Sequence, residues 1–379
     1  MAARATSFVL RGESPARVGA GLTEFFRTFG PDGAGLVFLS GSLGARVEAV
    51  SEVLAGAGLG MPLLVAAGAG VLSERGEIEG EPAAAALAYR GGSAEAVAAD
   101  AATHDDAATL LAARLAELGP GKSATALVCV QSEGNSPDSL EALFTARTVS
   151  LVGGGTAGSA PIAAVRRSGR LELGKIGALV LRGLSPARVR SSPACRLLMP
   201  LRPITGARGP LLTEIGGEPA LDVLKGSAAD LAGQPLVLTV LAPETTAQDS
   251  SRSELLVRGI QGVDPARRAI LLSGELEVGW RVAFAVRDAA SARTDLELCA
   301  RELARDAAGA EPLFGVYMSC AGRGASLYGG PDVDLRVLRG RFPEVPLIGM
   351  HSAFEIAPFE GKPAVHFYTG VIALFTRPS

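Results

Sequence analysis

The sequence predicts an α/β protein in which αβαββ units recur, building helix-covered mixed sheets, with additional antiparallel strands in the middle. Three observations carry this reading. Short, almost uninterrupted apolar runs alternate with segments whose apolar residues return at helical spacing. The same order of elements occurs three times along the chain. Between the second and third occurrences, Val278, Trp280, Val282, Phe284 and Val286 alternate at period two, the mark of a half-buried antiparallel strand.

In the first occurrence Ser14 and Pro15 supply a helix cap and a first-turn proline, and Val18, Leu22, Phe25 and Phe29 share one face until Gly30 and Pro31 end the helix. A strand at Leu36 to Leu39, a loop at Ser40 to Gly44, a short helix with Val47, Val50 and Leu54, and a strand at Met61 to Val65 follow. The second occurrence opens on Asp105 and Asp106, whose carboxylates suit a helix N-terminus, with Leu111, Leu115 and Leu118 on one face. Strands are expected at Ala126 to Val130, Val149 to Val152 and Ala178 to Leu181, with a helix from Ser136 between the first two. In the third, Thr294 and Glu297 have capping-box spacing, Gly315 to Met318 and Val345 to Gly349 read as strands, and Val365 to Phe375 closes the chain. Aligned by element order, the runs starting at Met61, Val149 and Val345 fall in register. Leu236 to Leu241 and Leu255 to Gly259 are strand-like, and the polar stretch Glu244 to Glu254 reads as a loop.

A chain of 379 residues exceeds one ordinary core. Two domains are expected, over residues 1–195 and 205–379, with the Pro/Arg-rich segment Arg188 to Arg208 as the crossing. A formal charge of -3 without a long basic tract argues against nucleic acid as a partner. The greasiest segment, Met61 to Leu72, is broken by Gly68 and Gly70 and is about half of the ~20 residues a spanning helix needs, so no membrane role is expected. Cys129, Cys195, Cys299 and Cys320 form no CxxC pair, which suits a reducing, cytoplasmic setting.

The segments Ser319 to Gly324, Phe342 to Gly349 and Phe354 to Pro358, with others upstream in one order, resemble those of the FIST (F-box and intracellular signal transduction) family over most of the chain. Ser319-Cys-Ala-Gly-Arg-Gly324 is similar to the family's C-x-G-R-G segment, Phe342-Pro-Glu-Val-Pro-Leu-Ile-Gly349 to its F-P-x-x-P-L-I-G strand, and Phe354-Glu-Ile-Ala-Pro358 to its G-E-I-x-P turn. Val257-Arg258, Gly262-Val-Asp-Pro265 and Arg287-Asp288 keep the family's order, as do Gly216 to Leu221 and the glycine loop Leu151 to Gly158. Phe354 stands where the family usually has glycine, and Met350 and His351 put bulk directly after Gly349. The resemblance implies N- and C-terminal FIST domains and an intracellular sensory role, with a small-molecule ligand, amino acids among those proposed, and a signalling protein partner.

Cys320, Gly322, Arg323, Gly324, His351, Ser352 and Glu355 lie at or just past the ends of expected strands, where open α/β sheets form ligand crevices. Arg323 beside amides freed by Gly322 and Gly324 could hold a carboxylate while Glu355 receives an ammonium; the plainer alternative is an Arg323–Glu355 ion pair joining two loops. No catalytic residue, cofactor or metal is assigned. His351 and Glu355 with Cys320 or His366 evoke zinc, but i, i+4 spacing converges only on a helix, and this region reads as strand and turn. The same residues leave a cysteine- or metal-dependent hydrolase as a competing hypothesis, and an apolar patch from the Cys320 to Tyr328 loop and the Phe354 to Phe359 turn leaves an interaction scaffold as another. Gly153 to Gly158 satisfies GxGxxG, but Pro161 and the weak periodicity after it argue against the helix that dinucleotide binding needs. Gly121-Lys-Ser123 ends like a P-loop yet precedes a strand.

Overall fold

A computed structural model describes residues 4–118, 124–146, 149–231, 236–244 and 255–377. Residues 245–254 of the expected loop Glu244 to Glu254, and the P-loop-like 121–123, fall outside these residues. Elements run β1 (Arg4–Arg11), α1 (Pro15–Phe29), β2 (Ala34–Ser40), α2 (Val47–Gly56), β3 (Leu63–Ala67), β4 (Gly70–Ser73), β5 (Gly76–Glu79) and β6 (Ala83–Arg90). A second series follows as β7 (Ser93–Ala99), α3 (His104–Glu117), β8 (Thr125–Val130), α4 (Glu141–Thr145), β9 (Ser150–Gly155), β10 (Ile162–Val165), β11 (Leu171–Gly174) and β12 (Ile176–Arg182). The third series begins with β13 (Arg188–Pro193) and is interrupted by a lobe of β14 (Cys195–Leu197), β15 (Arg202–Arg208), β16 (Leu211–Ile215), β17 (Glu218–Pro219), α5 (Ala220–Ala228), β18 (Val237–Ala242), β19 (Leu256–Asp264), β20 (Ala269–Leu272) and β21 (Arg281–Arg287). It resumes with α6 (Ala289–Asp306), β22 (Pro312–Cys320), α7 (Ala325–Tyr328), α8 (Val333–Arg341), β23 (Leu347–Ser352), β24 (Glu355–Phe359), β25 (Lys362–His366) and β26 (Thr369–Thr376).

Three six-stranded sheets share one plan: β1-β6-β2-β3-β10-β11, β7-β12-β8-β9-β24-β25 and β13-β26-β22-β23-β4-β5. The pairs β2–β3, β8–β9 and β22–β23 are parallel and every other pairing in these sheets is antiparallel. The last two strands of each sheet come from a different series: hairpin β4–β5 completes the third sheet, β10–β11 the first, and β24–β25 the second. The exchange is sealed by a closed ring of backbone hydrogen bonds, Ala69 N to His351 O (2.8 Å), Ala157 N to Ala67 O (3.0 Å) and Ala353 N to Gly155 O (3.0 Å).

One core, with Phe38, Leu64, Leu87, Leu127, Val152, Leu179, Met318, Met350 and Phe375, draws on the inner faces of all three sheets. Outer faces are roofed by helices. Leu22 and Phe26 of α1 pack on β2 and β3, Leu111 and Leu115 of α3 on β8 and β12, and Leu296, Leu303 and Leu338 of α6 and α8 on β22 and β26. Sheets covered on both faces explain the near-continuous apolar strands. Close approach explains the glycine ending the Pro-Leu-Ile-Gly motif, because a Cβ on Gly349 would lie 1.9 Å from the Tyr317 carbonyl oxygen, and one on Gly153 1.8 Å from that of Val128.

Some expectations are corrected. Arg188 to Arg208 is not a bare crossing: β13 pairs with β26, and Arg190 ion-pairs with Glu302 and Asp306. The third-series helix starts before the Thr294 box, capped by Asp288, whose carboxylate accepts the Ser291 amide (2.7 Å). The chain also forms β1, whose apolar run Phe8 to Leu10 is short, and β6 and β7, where alanine-rich sequence gave no strand signal. Ser14 does cap α1, accepting the Arg17 amide, and the middle strands are antiparallel within one separate sheet. Among the described residues no helix is long and apolar enough to cross a membrane.

Candidate functional site

The parallel pair β22–β23 sets Ser319 opposite His351 and Cys320 opposite Ser352. Side chains alternate along a strand, so Cys320 and Ser352 share the face of Met318 and Met350, toward the central core, while Ser319 and His351 share the face of Tyr317, toward α6 and α8. Glu355, at the start of β24, joins the inner group. Its Oε1 lies 2.9 Å from Ser352 Oγ, which is also 3.2 Å from the Ser319 carbonyl oxygen. Its Oε2 is buried without a partner.

Glu355 is fully buried, and burial pushes its carboxyl well above the ordinary range, against the opposing pull of Ser352, the Thr369 amide and the Arg323 charge. A protonated Glu355 can donate to Ser352, which in turn donates to Ser319 O. Burial, then the nearby Glu355, pushes the Cys320 thiol up to about 11, and the Gly322 and Tyr368 backbone and Arg287 counter this only in part. That is the reverse of an activated nucleophile. His351 is pushed down by burial, with Glu79, Asp334 and the Cys320 backbone working against the shift.

Arg323 does not meet Glu355 in an ion pair. The 321–324 loop turns inward, and the guanidinium, fully buried, pairs with Asp334 (Nε to Oδ2, 2.6 Å). It also donates to the Ser192 carbonyl (2.7 Å), Ser192 Oγ (3.1 Å) and the Ala292 carbonyl (2.9 Å). Tyr317 and Tyr328 hydroxyls donate to the same carboxylate at 2.6 and 2.7 Å. Arg323 is therefore committed to joining β13, α6 and α8. Gly322 instead receives Arg287: that guanidinium donates to the Gly322 carbonyl, and a Cβ there would come within 3.1 Å of it. The Arg287 Nε is buried and unpartnered. Gly324 has another reason to lack a side chain, since a Cβ would sit 2.3 Å from Glu79 Oε1.

The scaffold patch is absent as drawn, because Phe354, Ile356 and Phe359 are buried at 5%, 0% and 7% exposure. Among the described residues the donors of Cys320, His351 and Glu355 do not gather as a possible metal set, and His366 turns Nε2 to the Ala357 carbonyl (3.3 Å). Gly153 to Gly155 lie within β9, and β10 rather than a helix comes next. Residue patterns had not singled out Thr156 or Ser319, both buried with unpartnered hydroxyls, nor a role for Arg287. Thr156 was within reach, because aligning Val149 with Val345 puts it at the position of Ser352.

The FIST N domain model matches residues 33–218 and the FIST C domain model residues 220–358. The chain belongs to the FIST family. FIST domains are signal-transduction sensory domains. Curated relatives include an uncharacterised Mycobacterium tuberculosis protein, 35% identical over 191 residues, 48% of this FIST chain and 49% of the relative. An uncharacterised Mycobacterium bovis protein is 34% identical over 183 residues, 45% and 46% of the two chains. This FIST protein thus spans about half the length of the curated relatives it matches. Among solved structures, phosphoribosylformylglycinamidine synthase II of Thermotoga maritima aligns over 99% of this chain and 72% of that one, with 11% identity and a TM-score of 0.24, a likeness too slight to bear on fold or function.

Proposed function

We propose that this FIST protein senses a small amino-acid-like molecule through the inner polar group of Cys320, Ser352 and Glu355, and that a signalling partner protein reads the bound state. The supporting observation is the unpartnered Glu355 Oε2, fully enclosed. A buried acceptor without a partner costs about 1–3 kcal/mol, a cost that a ligand ammonium would remove. Arg287, close enough to Cys320 to depress its thiol pKa and with Nε unspent, takes over from Arg323 as the cation for a ligand carboxylate. Four buried free cysteines suit work in the reducing cytoplasm.

The test is melting temperature across the standard amino acids, with their decarboxylated and deaminated analogues. A ligand at 100 times its Kd adds about 2.7 kcal/mol of stability. Stabilisation should need both ammonium and carboxylate and should vanish in Glu355→Gln. Melting curves unmoved by every compound would remove the sensor reading.

A further inference from the structure

On the opposite face of β23, toward the helices, lies a group that the sensor reading does not use. His351 is 2% exposed, and neither of its ring nitrogens has a hydrogen-bond partner. One donor atom each from Glu77, Glu79 and His351 lie within 4.8 Å of one another. The carboxylates arrive on β5, which alternates so that Ile78 enters the central core while Glu77 and Glu79 face His351. Hairpin exchange is what brings the two ends of the chain together here, through β4 pairing with β23.

We infer that Glu77, Glu79 and His351 bind one divalent first-row transition-metal ion, a site separate from the Glu355 group. Each carboxylate is steered by a backbone amide and keeps its second oxygen available: Glu79 Oε1 accepts the Ala325 amide (2.9 Å), and Glu77 Oε2 the Asp332 amide (3.0 Å). Outer contacts of this kind orient metal ligands. The Glu77 amide in turn donates to Asp332 Oδ1 (2.7 Å), fixing β5 against a residue held at φ 61°. Charge also favours a cation. Arg323 is matched by Asp334, whereas Glu77, Glu79 and Asp332 have no ion-pair partner among the described residues.

The chemistry narrows the ion. One imidazole with two carboxylates suits Zn2+, Mn2+, Co2+ or Fe2+ better than Mg2+ or Ca2+, which prefer all-oxygen shells. Donors around Zn2+ at about 2.1 Å stand ~3.4 Å apart, so modest glutamate rotation closes the set, and solvent or the unpartnered Ser319 hydroxyl, opposite His351, can complete it.

The experiment is titration of chelator-stripped full chain with Zn2+ by calorimetry and with Co2+ by visible absorption. The expected result is one ion per chain, a cobalt band of four- or five-coordinate type, and at least tenfold weaker binding in Glu79→Gln and His351→Asn. Glu79→Gln, at a partly exposed position, guards against a folding artefact, and its metal-free melting temperature should match wild type. No stoichiometric binding of either ion, or binding undiminished in both variants, overturns the site. Amino-acid stabilisation depends on Glu355, so either proposal can fail alone.

Discussion

Arg323→Met should destabilise the protein strongly, because the guanidinium acts as an internal clamp. The change leaves Asp334 buried at 3% exposure with the two tyrosine hydroxyls, and takes one donor from each of the Ser192 and Ala292 carbonyls. Removing one member of a buried ion pair costs about 3–5 kcal/mol. With a urea dependence of about 4 kcal/mol per molar for a chain this long, the unfolding midpoint should fall by about 1 M. Asp334→Leu should cost a similar amount by stranding Arg323. Combined with Arg323→Met it should cost less than the sum, with a coupling of about 2 kcal/mol, since no charge is then left unmatched. Arg323→Lys should recover only part, because an ammonium cannot reproduce the fork to Asp334, Ser192 and Ala292. Far-UV circular dichroism in urea reads all four. A single variant losing less than about 1 kcal/mol, or strict additivity in the pair, would refute the clamp.

Three further outcomes follow from buried ionisable groups. Glu355 has a raised pKa in the fold, so the folded state holds a proton the unfolded state releases, and stability is full below the unfolded value and falls as pH rises. Glu355→Gln should therefore be no less stable than wild type at pH 7 without ligand and should gain on it toward pH 9 in melting scans; a deficit that widens with pH would contradict this. His366 is held down to about 3 by burial and then by the Arg258 charge, so its contribution is full above pH ~6.5 and lost as pH drops toward 3, by at most about 5 kcal/mol. His366→Asn should flatten that acid limb, and superimposable acid curves would count against it. Cys129 and Cys299 are pushed up to about 12 and Cys320 to about 11, so a disulfide reagent at pH 8 should find no fast thiol until urea is added, when four titrate. A rapid single-thiol phase in the native protein would disagree.

The mixed sheets and their helices were legible because apolar period and end signals are local. The register of Met61, Val149 and Val345 was legible too: those same offsets lead to Ala67, Gly155 and His351, the carbonyls of the hydrogen-bond ring. Strands β6 and β7 were hidden because Ala83 to Ala88 and Ala94 to Ala99 favour helix locally, whereas here small residues let tightly roofed sheets close. Arg323 was misread because its partner, Asp334, sits beyond the short helix α7, and only the inward turn of the loop shows which carboxylate it meets. Glu77 and Glu79 went unread, since nothing near them in sequence announces His351, about 270 residues on.

Hairpin exchange also constrains biosynthesis. The β4–β5 segment leaves the ribosome early, yet Leu72 pairs with Gly349, about 280 residues later. At roughly 5–20 residues per second it waits about 15–55 s with an unsatisfied strand edge. The first sheet must likewise wait for β10, and the second for β24. Halves expressed separately would each lack a neighbour's strands, so this architecture makes vectorial synthesis end in a single late, cooperative closure and exposes the nascent chain to mispairing until then.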